Sequence, residues 1–156
     1  MFESHERLSE QIRMILAALA DLAAGSYACL LEPKGILFEY PEPEERETWA
    51  LRRLLEERSA ALFGIPRSLA SGEPMEDVFE GWSHEELFLA FINERVVLVL
   101  ACAEAEPLKE RALPALKVLA DRLLRYNGAY RMDERGRGFF FSRPKLDLVV
   151  VERPGE

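Results

Sequence analysis

The side chains best able to do chemistry are few: two histidines, His5 and His84, and two cysteines, Cys29 and Cys102, in a chain of 156 residues. A metal centre needs such donors at ligand spacing, and a nucleophile needs a base beside it. Neither histidine has a second His or Cys at a metal-ligand interval. His5 falls in a first helical turn and His84 at a strand edge, positions that read as solvated imidazoles. Each cysteine sits inside an apolar, strand-like run, the setting of a buried free thiol rather than of a disulfide framework. A reducing cytoplasm is the compartment this usage fits.

Carboxylates are the other candidates for acid and base work. Glu44, Glu45, Glu47, Glu56 and Glu57 are interleaved with Arg46, Arg52, Arg53 and Arg58 along one segment. That is the pattern of a solvated, salt-bridged helix surface. The GRG at 136–138 lacks the Lys and Ser/Thr of a phosphate loop. Arg135, Arg137 and Arg143 around Phe139, Phe140 and Phe141 combine charge with stacking surfaces, as single-strand binders do. The whole chain argues the other way. With a formal net charge of -8 and a pI near 5.0, it has little counterion release to gain from phosphates. The phenylalanines are read as cover for the core or for a partner. The chain is therefore read as non-catalytic, with no cofactor, no metal and no nucleic-acid partner.

What remains is surface recognition. Trp49 stands at helical neighbour spacing between Arg46 and Arg53, on a different face from the stripe of Leu51, Leu54, Leu55 and Leu62. Aromatic residues and arginine are enriched where interfaces bind most strongly. Phe79 and Trp82 fall in a candidate third strand, whose backbone would invite a second copy if it lay at an open edge. The candidate dimer or partner interface is thus Arg46, Trp49, Arg53, Phe79 and Trp82.

These residues need a scaffold, and the chain is long enough for one domain with a proper core: 49% of its residues are hydrophobic. Leu8, Ile12, Ile15, Leu16, Leu19, Leu22 and Ala23 recur at helical spacing, which predicts a helix over 2–24 that stops at Gly25. YACLLE and ILFEY flank Pro33-Lys34-Gly35 and predict a hairpin. A second helix is expected over 44–63, with its glutamates at the positive N-terminal end. A third strand is expected over 75–83. ELFLAFINERVVLVLA, at 86–101, supplies two more strands around Asn93-Glu94, and neither run alternates apolar with polar. Such a hairpin must be covered on both faces.

A third helix is expected over 107–126. Pro114 implies either a bend or a short turn ahead of a helix starting near that residue. LDLVVVE, at 146–152, reads as a further strand. The charged first residues and Asp21 speak against an export signal, and no apolar run reaches the ~20 residues of a membrane span.

The order α-β-β-α-β-β-β-α and the stretch VFEGWSHEELFLAFINERVVLVLA, at 78–101, resemble the roadblock/dynein light chain family, most of all the bacterial and archaeal regulators of Ras-like GTPases. The shared features are a glycine after the third strand, here Gly81, then a strand, a short turn and a valine-rich strand leading into the last helix. The resemblance covers about 8–124; profilin-like and longin folds share part of the layout, and the tail has no counterpart in the minimal family domain.

It implies an α+β fold: a five-stranded antiparallel sheet with helices on both faces over 1–126, followed by an extension over 127–156 with an extra strand. It also implies a dimer in which the third strand and second helix meet across a two-fold axis. Such dimers are platforms for a small GTPase or for a signalling or motility complex. The alternative is a small-molecule sensor module of the GAF or PAS kind, enclosing a ligand between sheet and helices.

Overall fold

The computed structural model of the chain describes residues 5–25, 27–41, 46–66, 85–93, 95–133 and 146–151. Helix α1 (His5–Leu22) buries Leu8, Ile12, Leu16, Leu19 and Ala23 along one stripe. Leu22, expected on that stripe, lies at its margin and is exposed. Strands β1 (Tyr27–Glu32) and β2 (Gly35–Tyr40) form the first hairpin. Helix α2 (Arg46–Glu57) is followed, after a break at Arg58, by the single turn of α3 (Ser59–Leu62). The continuous helix expected over 44–63 is therefore two pieces.

The opening hairpin of the second half is present as β3 (Glu86–Phe91) and β4 (Val97–Cys102). Its turn is held by Asn93, a buried side chain whose Oδ1 accepts from the backbone N–H of Arg95 at 2.7 Å and of Val96 at 3.0 Å. A short helix α4 (Leu108–Arg111) precedes α5 (Leu113–Asp133), so the chain takes the turn-then-helix alternative at Pro114. In that first turn proline costs no helical hydrogen bond. Helix α5 runs to Asp133, past the end expected at 126. Strand β5 (Asp147–Val151) closes the described chain.

The five strands make one antiparallel sheet in the order β2-β1-β4-β3-β5. The fifth strand is supplied by the C-terminal segment: β5 pairs with β3 from Leu87↔Val151 to Phe91↔Asp147. Both sides of β3 are thus occupied, by β4 and β5. The segment at 75–83, with Phe79 and Trp82, lies outside the described residues.

Helices cover both faces, which explains the missing alternation. Ala28, Leu30, Phe88, Ala90, Leu98 and Leu100 pack under α1 and α5. Their sequence neighbours Cys29, Leu31, Leu87, Leu89, Val97 and Val99 point the other way, to Leu51 and Leu55 of α2 and Leu62 of α3. Every residue of β4 is buried. Full burial of a leucine or valine is worth about 1.5–3 kcal/mol, so a sheet filled on both sides can offset the entropy of ordering this chain.

Candidate functional site

Helix α2 is the element that positions the expected interface. Its buried stripe, Leu51 and Leu55, lies against the sheet. At 100° per residue, positions 46, 49 and 53 come to the side of the helix axis opposite Leu51. Arg53 is exposed there, together with Ala50 and Glu57. The side chains of Arg46 and Trp49, like Phe79 and Trp82, lie outside what is described. Helical spacing thus puts positions 46, 49 and 53 on one side of α2, and of these Arg53 is the one whose side chain is described.

Sequence reasoning treated Arg52 as one more surface charge, and the structure assigns it a different task. Tyr27, fully buried in β1, donates its hydroxyl to Glu39 Oε2 of β2 at 2.5 Å. The same oxygen accepts from Arg52 Nε of α2 at 2.8 Å. Arg52 Nη1 also reaches Glu56 Oε1 at 2.6 Å, one turn along α2. One carboxylate thereby joins two strands to the helix. The hydrogen bond to Glu39 is the main cause that raises the Arg52 pKa and keeps the guanidinium charged. Burial first, then neighbouring Cys29 and the Glu39 bond, push the Tyr27 phenol well above its ordinary value. Tyr27 is thus a neutral donor at any physiological pH. The signal available in the sequence was a lone phenol in an otherwise apolar strand, which must find a partner when buried.

The two thiols are free and buried, as the sequence implied. Burial raises Cys29 strongly and pushes Cys102 up to about 12. Nucleophilic thiol chemistry needs the thiolate, which these surroundings disfavour. Cys102 Sγ instead lies 3.4 Å from the carbonyl of Glu86, whose carboxylate accepts from the Ala105 N–H at 2.9 Å. Among the described residues, no three His, Cys, Asp or Glu side chains converge as metal ligands would. No described helix is long and apolar enough to cross a membrane.

Beside this cluster, a groove of about 530 Å³ follows the outer edge of β2. It extends from Arg13 of α1, around Gly35 to Glu39, to Arg52 and Glu56 of α2. Phe38 forms part of its wall and carries the Arg13 guanidinium 5.6 Å from its ring centroid.

Comparison of the chain with protein-family models, with curated proteins and with solved structures finds no match. The functional reading therefore rests on the sequence pattern and on the molecule's own geometry.

Proposed function

We propose that the protein is a non-catalytic regulatory or scaffold protein that acts as a dimer and binds a Ras-like small GTPase or a larger signalling or motility complex. The observation that carries this reading is α2: buried along Leu51 and Leu55, tied to β2 through Arg52, and exposed at Arg53 on its far side. A helix held rigidly along one face presents the other without a large ordering cost, which is what a docking surface requires. The roadblock resemblance supplies the kind of partner, and the doubly covered antiparallel sheet fits the architecture it implies. Arg46, Trp49 and Arg53 are the contacts assigned to the α2 face, and Phe79 and Trp82 are those assigned to the strand expected over 75–83.

Sedimentation of the purified chain at micromolar concentration tests the dimer, and capture on GDP- and GTP-loaded small GTPases from its own source tests the partner. Combining Trp49→Ala with Arg53→Ala should weaken assembly by about 2 kcal/mol, roughly thirtyfold, with an unchanged circular dichroism spectrum. A strictly monomeric wild-type chain, or a double variant that assembles as well as wild type, would remove the reading.

A further inference from the structure

The sheet ends at β2 on one side and at β5 on the other, and the two edges are built differently. In β2, Phe38 pairs with Leu30 while Ile36 pairs with Leu31, which leaves Leu37 as a bulge. A bulge bends an edge and spoils its pairing with a further strand, one of the ways proteins keep edges from associating. β5 carries no such interruption. It runs beside β3 in unbroken register from Leu87↔Val151 to Phe91↔Asp147, and its one charge, Asp147, stands at its first residue. Among the described residues, nothing pairs with its outer side.

This edge also has apolar surface left to bury. Leu148 and Val150 pack toward α1 and α5, and Val151 toward α2, yet all three are only half-buried. A strand alongside would cover them from the side, on both faces of the sheet at once. Such a strand must be apolar on both faces, and its own charge must stay clear of Asp147.

A second β5 meets both demands. In an antiparallel pairing centred on Val149, that residue lies opposite the partner's Val149, Leu148 opposite the partner's Val150, and Asp147 opposite the partner's Val151. Residues opposite each other share a face, so apolar meets apolar in both layers. The two Asp147 carboxylates are then separated by the length of the strand, roughly 13 Å. That exceeds the ~8–10 Å over which exposed charges interact at ordinary salt. Moving the centre toward Asp147 brings the carboxylates together until they stand directly opposed, which is destabilising. Charge thus selects the register that uses every residue of the strand.

We propose that the outer edge of β5 pairs antiparallel with β5 of a second copy, centred on Val149, so that one sheet runs through both copies. The contact makes no use of the α2 face. Helix α2 is tied to β2 through Arg52 and Glu39, and α3 to the β1–β2 turn through Ser59 and Pro33, at the opposite end of the sheet. A pairing of short strands is small beside the ~1,200–2,000 Å² of standard interfaces, so half-association is expected at roughly 10–500 μM.

The wild-type chain gives the first test, with exchange of its backbone amides followed from about 5 μM to about 1 mM. Alternate amides of an antiparallel strand point to opposite sides, so one set in β5 is held by β3 at every concentration. The other set should exchange at least about tenfold more slowly at the highest concentration than at the lowest, while the outer amides of β2 stay unchanged. Cross-linking reads the register. Mild oxidation should join Val149→Cys chains to each other, or Leu148→Cys chains to Val150→Cys chains, according to which is the close pair. Val151→Cys chains alone should not be joined. The native thiols are buried and do not compete. The chain with Trp49→Ala and Arg53→Ala should keep the concentration-dependent protection.

Outer β5 amides that exchange alike at all concentrations would overturn the proposal, whether fast, as on a free edge, or slow, as under another segment of the same chain. So would joining at neither Cys pair, joining of Val151→Cys chains alone, or loss of the protection in the α2 variant. A chain that sediments as a dimer while β5 exchange stays constant would remove this contact and leave the α2 reading standing. The exchange measurement uses the wild-type chain, so a poorly folded variant does not blunt it.

Discussion

Glu39 Oε2 serves two donors from different elements, Tyr27 and Arg52, and the three residues are therefore expected to fail unequally. Tyr27→Phe removes a buried hydroxyl and leaves Glu39 with Arg52, a loss of about 1 kcal/mol. Glu39→Ala leaves the buried Tyr27 hydroxyl without its acceptor, and the cost rises to roughly 1–3 kcal/mol. Arg52 contributes less to that figure, because its side chain is 36% exposed and keeps Glu56. The double variant should be less destabilised than the sum of the singles by about 0.5–1.5 kcal/mol, measured by urea unfolding. Strict additivity would show that the Tyr27–Glu39 bond contributes nothing.

The two thiols begin the alkaline pH dependence, and the buried Tyr27 phenol, raised from its ordinary value of 10.0, adds to it at higher pH. The Cys102 thiol is raised from its ordinary value of 9.0 to about 12, and Cys29 moves the same way. Between those values the unfolded thiol ionises while the folded one keeps its proton, so the unfolded state binds fewer protons and stability falls as pH rises. The slope should be about 1.4 kcal/mol per pH unit for each thiol, fully recovered below about pH 9. Cys102→Ala should flatten the alkaline limb of a thermal-unfolding series by one thiol's share; an unchanged slope would show that Cys102 is not protected.

At the scale of elements, the junction of α1 and β1 shows how two neighbouring residues divide one task. The helix ends in a Schellman arrangement: Gly25 N–H donates to the Ala20 carbonyl and Ala24 N–H to the Asp21 carbonyl, each at 3.1 Å. The left-handed residue this requires is Ala24, with φ of 49°, and not the glycine. Gly25 is needed for another reason, since a Cβ there would lie 1.6 Å from the Ala101 carbonyl oxygen. Gly25→Ala should therefore be among the most damaging single changes, roughly 3–5 kcal/mol, because backbone must move against backbone. Ala24→Gly relieves a left-handed alanine and should stabilise by roughly 0.5–1 kcal/mol. Thermal unfolding of the pair checks both signs.

The sequence identified the stop at Gly25 but not this division, which depends on how closely β4 passes the junction. The β3–β4 hairpin was legible because two unbroken apolar runs can only be covered from both sides. The Tyr27–Glu39–Arg52 cluster was not, because its partners stand 12 and 13 residues apart and belong to elements whose mutual placement no local pattern sets. The edge groove was invisible for the same reason: it exists only once α1 and α2 flank β2.

At the scale of the whole molecule, the sheet is completed by the last described segment of the chain. β5 lies along β3 over Asp147–Val151, and it contributes to both cores: Val149 and Val151 on the α2 side, Leu148 and Val150 on the side of α1 and α5. The sequence marked this segment only as an extra strand and assigned it no neighbour. In the chain as described, it joins the edge.

A chain ending after residue 133 would leave one side of Leu87–Phe91 without backbone partners, along a strand made of Leu, Phe and Ala. Its apolar losses alone amount to about 3–5 kcal/mol, a large share of the 5–15 kcal/mol by which domains are usually stable. An exposed apolar edge of that length also invites association. The truncated chain should therefore melt at markedly lower temperature and scatter light at concentrations where the full chain stays clear. Adding a peptide spanning 145–153 in trans should restore both properties, because the missing strand needs only to pair, not to be connected. A truncated chain that keeps the full melting temperature would show β5 to be dispensable; one that is destabilised but not rescued by the peptide would place the loss in the intervening chain rather than in the strand.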